Sequence, residues 1–139
     1  MIKKLILILF LTFWPNFIFA NTEYFEQGLN LFKNKKFNEA KFKFEQDIVF
    51  NPKNEKSYLY LSKIFKYLEK RDLQEQNLDT VILLNPQNEE AIYNLAKLKL
   101  SASDYKRSKE LNDQLFFICN KFCSQSQKLK IEIQNLSKK

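Results

Sequence analysis

Apolar residues return along this chain at the spacing of helix faces, and the spacing itself repeats. Between residues 24 and 52 they stand at Tyr24, Leu31, Phe37, Ala40, Phe44 and Ile48, with the chain's single glycine, Gly28, among them and Pro52 at the end. Offsets of 3, 4 and 7 share one face of an α-helix, so the stretch predicts two helices, each with an oily stripe to bury. The order then recurs 34 residues on: Tyr58 follows Tyr24, Ile82 follows Ile48, and Asn85-Pro86 follows Asn51-Pro52. A fixed period of this length predicts stacked helix-turn-helix units. Gly28, Ser62 and Ala96, all small, share one equivalent place, where two helix axes can approach closely. Proline after a second helix lacks an amide hydrogen and stops that helix from continuing.

The pattern predicts helices over about 23–34 and 37–50 with a tight turn at Lys35-Lys36, then 55–68 and 72–84, then 89–100 and 104–119. Asn54 and Asn88 stand where an N-cap side chain can accept from the first-turn amides, and Ser103 is the expected cap of the sixth helix. A last stretch, 124–137, carries Leu129, Ile133 and Leu136 among polar residues and reads as a solvating end helix.

The pattern resembles the tetratricopeptide repeat, W-x2-L-G-x2-Y followed by A-x3-F and then P. Tyr24 stands at the Trp place, Gly28 at the Gly, Leu31 at the Tyr, and Ala40, Phe44 and Pro52 at the Ala, Phe and Pro, while Gln27 departs at the Leu place. The second copy has Tyr58, Leu61, Ser62, Phe65, Leu78 and Pro86, with Gln74 at the Ala place. The third keeps Ile92, Leu95, Ala96, Tyr105, Leu115 and Phe116, but Lys99, Ser108, Asn112 and Asn120 break the motif. The resemblance implies an all-α fold: an α-solenoid of about three TPR-like repeats (about 21–54, 55–88 and 89–122) and a C-terminal capping helix at about 123–137.

The start of the chain changes the picture of where this domain works. A basic head at Lys3-Lys4 precedes the apolar run 5–13, Trp14-Pro15-Asn16, and then Phe17-Ile18-Phe19-Ala20 before polar Asn21-Thr22-Glu23. This pattern reads as a secretory signal peptide, 1–20, cleaved after Ala20, leaving 21–139 as the repeat domain of a periplasmic or secreted protein. The alternative is a retained membrane anchor, against which Pro15 and Asn16 interrupt an apolar run shorter than the roughly 20 residues a span needs. The formal charge of +7 falls to +5 without Lys3 and Lys4, so the exported chain stays basic. Past a membrane, acidic protein segments or anionic envelope polymers are the expected partners rather than nucleic acid.

Catalytic chemistry is poorly supplied. The chain contains no histidine, which removes the commonest general base and neutral metal ligand, and one glycine cannot build a phosphate loop. Glu39 and Glu89-Glu90 are spaced as solvated helix faces. No enzyme activity, metal or cofactor is expected. Cys119 and Cys123 are four apart, unlike a redox C-x-x-C, and two thiols alone make a poor zinc site. They fall where Pro52 and Pro86 close the earlier repeats, so they are either a disulfide staple or two buried free thiols.

In the resembling family the first helix of each pair lines the concave side, which implies a ligand face at register positions one step round from the packing stripe. In the first repeat these are Thr22, Phe25, Leu29 and Phe32; in the second, Lys56, Leu59, Lys63 and Lys66; in the third, Glu90, Tyr93, Lys97 and Leu100. Phe25, Leu29, Phe32, Leu59 and Tyr93 would take an apolar anchor, and Lys63, Lys66 and Lys97 an acidic group, so the implied ligand is an acidic, partly apolar peptide. The alternative is that the apolar members are covered by packing or by a second copy of the chain. The family's carboxylate clamp needs Lys and Asn where Phe25 and Leu29 stand, so that specificity does not carry over. The expected role is a protein-interaction or assembly module of the cell envelope, with a membrane-anchored scaffold as the competing reading.

Overall fold

The structure, a computed structural model, describes residues 20–138. The expected leader, 1–20, lies outside them but for Ala20. Every regular element among the described residues is an α-helix. No helix among them is long and apolar enough to cross a membrane. The chain gathers into two compact units, the first ending at Pro52 and the second beginning at Lys53.

The first unit is a helix hairpin, α1 (Ala20–Lys33) and α2 (Phe37–Phe50). It is built on aromatic rings. Phe44 and Ala40 are fully buried, and Gly28 is required opposite them, because a Cβ there would come within 2.8 Å of the Phe44 ring. Tyr24 stacks on Phe50 with ring centres 5.5 Å apart. Lys43 also lies over the Tyr24 ring, its Nζ 5.4 Å from the ring centre.

The second unit holds α3 (Glu55–Tyr67), α4 (Arg71–Leu84), α5 (Glu89–Ser101), α6 (Tyr105–Ile118) and α7 (Cys123–Leu136). Helices α3 and α4 pair, α5 and α6 pair, α4 packs on α5, and α7 closes against α6 with a smaller contact to α5. Leu78, Val81, Ile92, Leu95 and Leu115 are wholly buried between them, and α7 adds Leu129 and Ile133. The two α7 residues stand four apart, on one face of that helix.

All three hairpins turn by one device. Lys35, Glu69 and Ser103, 34 residues apart, each take a left-handed backbone, with φ of 58°, 57° and 61°. At each turn the following amide reaches back five residues and the left-handed residue's own amide reaches back three: Lys36 to Leu31 and Lys35 to Phe32, Lys70 to Phe65 and Glu69 to Lys66, Asp104 to Lys99 and Ser103 to Leu100. This is the Schellman closure of a helix, made here without glycine. It also corrects the expected cap of α6. Ser103 is the left-handed residue, and Asp104 is the cap, its carboxylate accepting from Arg107 N–H at 3.0 Å. Asn54 and Asn88 do cap α3 and α5, accepting from Lys56 N–H and Ala91 N–H.

The third hairpin ends differently from the first two. Asn120 stands at the register of Pro52 and Pro86, and unlike proline it has an amide hydrogen to place. Glu89 solves this: its carboxylate accepts from the N–H groups of Asn120, Lys121 and Phe122 at 2.9, 2.9 and 2.8 Å. Desolvation pushes the Glu89 carboxyl up, but the bonds from Phe122, Asn120 and Lys121, together with the Lys121 charge, outweigh it and hold the group below its ordinary value. Glu89 is therefore not the solvated surface carboxylate expected of it, because its partners lie a whole hairpin away in sequence. The same loop is bridged by a Cys119–Cys123 disulfide, with Cα atoms 5.2 Å apart.

Candidate functional site

Of the twelve register positions on the first helices, eight are expected to hold ligand, and the structure treats them unequally. In α1, Phe25 packs its ring 5.8 Å from that of Phe44, and Phe32 sets its ring edge-on to Phe37 at 5.4 Å. Both, with Leu29, are half-buried, so they are shared between the hairpin's own packing and the surface. In the second unit Leu59 is a correction: it is 9% exposed and belongs to the core with Leu78, Ile92 and Leu95. A residue one step round from the stripe lies at the edge of a roughly 100° apolar arc, and here the arc is wide enough to take Leu59 in. Tyr93 is half-covered by Phe122, with ring centres 5.5 Å apart.

The three lysines divide as well. Lys63 donates to Glu90 at 2.8 Å and lies over the Tyr60 ring at 4.7 Å. Lys97 reaches both carboxylate oxygens of Glu132 on α7, at 2.9 and 2.8 Å. Lys66 is exposed and makes no ion pair among the described residues. Two of the expected cations are thus already engaged within the unit, by carboxylates 27 and 35 residues away in sequence.

Lys66 and Lys97 nevertheless meet at one cavity of about 470 Å³, where α3, α4 and α5 converge. Lys66 and Glu69 come from the end of α3 and its turn, Arg71 and Gln74 from the start of α4, and Asn94, Lys97, Leu98 and Ser101 from α5. The volume lies in the range of small-ligand clefts. Arg71, Gln74 and Asn94 were not on the register face, though Gln74 was visible as the residue that displaces the repeat's alanine. A larger hollow, about 640 Å³, runs along α4 past Asp72, Glu75, Asp79 and Leu83. All its lining residues come from that single helix, which can present a surface but cannot enclose a ligand. Asp79 there is raised above the ordinary carboxylate value by desolvation and by repulsion from Glu75, with Lys99 and Arg107 opposing the rise. Lys99 itself is held by Glu75 at 2.6 Å. Among the described residues no group of His, Cys, Asp or Glu is placed to hold a metal ion.

No sequence model of a known family matches this chain, and no curated protein matches it in sequence. Solved structures do match its fold. The TPR domain of Arabidopsis OM64 superposes with a TM-score of 0.70 at 21% identity, covering 86% of this chain and 95% of that one. The TPR2B domain of yeast Sti1, solved in complex with pHsp70, gives 0.75 at 13% identity over 83% and 96% of the two chains. The Yersinia enterocolitica type III secretion chaperone SycD, in complex with a peptide of the translocator YopD, gives 0.73 at 13% identity over 84% and 91%.

Proposed function

We propose, from the premise that this chain has the tetratricopeptide-repeat fold, that it is a non-enzymatic interaction module of the cell envelope which holds a peptide segment of a partner protein. One observation carries the reading: first-helix residues Lys66 and Lys97, assigned to the ligand face by register, line one open cavity together with Arg71 and Asn94. Structural neighbours solved with peptide or protein partners support it. In the first unit the half-buried Phe25, Leu29 and Phe32, and in the second the half-buried Tyr93, each suit an apolar group, and the chain's basic balance suits an acidic, partly apolar segment. Export by a cleaved leader, with release into the periplasm or medium, is part of the same proposal, and Asn21 as the first residue of the mature protein is its signature. Selection of a random peptide library on the purified protein tests the binding role. Selected peptides should bind the doubly substituted Lys66→Glu, Lys97→Glu protein about tenfold or more weakly. Failure to select any sequence, or full binding by the double variant, overturns the reading.

Self-association is favoured by a different observation. Val49, Leu83 and Phe117 stand 34 residues apart at one place on the three second helices, and are 75, 82 and 87% exposed. Within the second unit, Leu83 and Phe117 are apolar side chains kept open at the same register, and they offer a surface that another chain can cover. Sedimentation over a wide concentration range should show association that Phe117→Ser and Leu83→Ser weaken; a monomer throughout removes this second role.

A further inference from the structure

The second helices α4 and α6 carry opposite surplus charge on their outward faces. Two short turns reverse the chain between them, so they run the same way, and Gln114 of α6 donates to the Pro86 carbonyl just beyond α4 at 3.2 Å. Asp72, Gln76, Asp79 and Leu83 are spaced 4, 3 and 4 apart and share one face of α4, while Lys106, Glu110, Asp113 and Phe117 hold the matching places on α6. Within α6 the charges largely cancel. Arg107 pairs with Glu110 at 3.2 Å and Lys109 with Asp113 at 2.6 Å, which leaves Lys106 with no ion pair among the described residues. On α4 Glu75 is held by Lys99, but Asp72 and Asp79 have no ion pair among the described residues. Each face thus runs from a charged start, acidic on α4 and basic on α6, to an apolar end, where Leu83 and Phe117 are 82 and 87% exposed. Phe116, also exposed, sets its ring edge-on to Phe117 at 6.4 Å and widens that end.

We infer that this double face is an interface with a second copy of the chain, in which α4 of each protomer lies parallel to α6 of the other, Asp72 meeting the partner's Lys106 and Leu83 the partner's Phe117. The inference deepens the self-association reading and rests on it. Symmetry and charge select the arrangement. A two-fold axis along the helices sets α4 against α6 in the same direction and makes each contact twice. Asp79 then comes level with the partner's Asp113, whose charge Lys109 already offsets. An axis across the helices instead lays α4 on α4 and α6 on α6 in opposite directions. Asp72 would then be level with the partner's Leu83 and Lys106 with the partner's Phe117, a charge against an apolar side chain each time. The same charges choose the occupant. Asp72 and Asp79 repel an anionic lipid surface and Lys106 repels a uniformly basic partner, whereas a second copy presents both signs in the order required.

Exchange of the paired charges, followed by sedimentation equilibrium of the purified protein, tests this. Asp72→Lys and Lys106→Asp each set like charges together at both symmetry-related contacts, and each should weaken the dimer about tenfold. An equimolar mixture of the two variants should recover the parent's association as a heterodimer, in which one contact is native and the other has its signs exchanged. Both positions are exposed, and recovery on mixing shows that both variants fold. Raised salt should weaken the parent's dimer, since the charged contacts lie at the edge of solvent. Association that neither substitution changes, or two weakened variants that mixing does not rescue, overturns the inference and leaves self-association through the apolar ends standing. A monomer at every concentration overturns both, and a monomer that co-sediments with phosphatidylglycerol vesicles gives the face to a membrane instead.

Discussion

The first hairpin, α1 with α2, and the third, α5 with α6, reach the same shape with opposite materials. In the first, glycine at residue 28 makes room for the fully buried ring of Phe44, and ring meets ring at Tyr24–Phe50 and Phe32–Phe37. In the third, Ala96 stands at the glycine place and the residue matching Phe44 is Asn112, also buried. Where glycine at 28 gives way to Ser62 and Ala96, the second-helix counterpart shrinks from Phe44 to Leu78 and Asn112. The third hairpin then replaces lost packing with cross-links: Ser108 to the Ala96 carbonyl, Glu89 to the 120–122 amides, and the disulfide. The same two places on the paired helices are thus filled by different chemistry in each repeat.

The largest expected effect is in the aromatic hairpin. Phe44→Ala removes a fully buried ring opposite a glycine that cannot fill the space, and should cost about 3–5 kcal/mol of that unit's stability in denaturant unfolding. A loss below 1 kcal/mol would mean that the first hairpin closes around the cavity as loosely as a polar one and would erase the contrast. In the third hairpin the matching lever is the disulfide. Breaking the five-residue ring by reduction, or by Cys119→Ser with Cys123→Ser, should cost about 2 kcal/mol of the second unit through loop-closure entropy. Free-thiol titration before and after reductant checks that the bridge exists, and an unchanged unfolding midpoint would show that the end of α6 needs no staple.

The contrast also explains what could be read without coordinates. Helix α2 was predicted over its full length because Phe37 begins the stripe and Asn51-Pro52 ends it, both local signals. Asn54 and Asn88 were legible for the same reason, since a cap and its amides lie within one turn. Ser103 was misassigned because it and Asp104 are both good caps, and only the backbone torsion decides between them. Of the candidate site, register found Lys66 and Lys97 but put Leu59 on a surface it does not reach. Arg71, Gln74 and Asn94 escaped because their convergence is made by α4 crossing α5, and Glu89 escaped because its amides lie more than 30 residues on.

Glu89 sharpens the comparison through pH. Its carboxyl is held below the ordinary value of 4.5 in the folded chain. A group depressed by folding contributes stability that is fully present above its unfolded value and is lost as pH falls through the folded one. The native protein should therefore exceed Glu89→Gln in stability at neutral pH and converge on it in acid, as the carboxylate that accepts three amides becomes protonated. Thermal unfolding of the two proteins from neutral pH down to about 3 measures this. A constant gap across the range would mean that the amides are satisfied equally by a neutral acceptor. The first hairpin, which ends at a proline, offers no equivalent dependence at its own register.

The smallest effect bears on what the two hairpins have in common. Lys35 and Ser103 occupy the same left-handed turn position with φ near 60° in each case, 58° and 61°. A side chain there crowds the following carbonyl, a strain that glycine avoids, although glycine loses more backbone freedom on folding. The balance should leave Lys35→Gly and Ser103→Gly each more stable than the parent by about 0.5 kcal/mol. Neither side chain takes part in a side-chain hydrogen bond or ion pair of the turn, so the gain measures the backbone alone. Equal gains in the aromatic and the cross-linked hairpin would establish that the turn is one device used twice, independent of how the helices beyond it are packed. A gain at Lys35 with a loss at Ser103 would instead show that the bonds around α6 have already set the geometry of its entry, and that the two hairpins differ down to the turn.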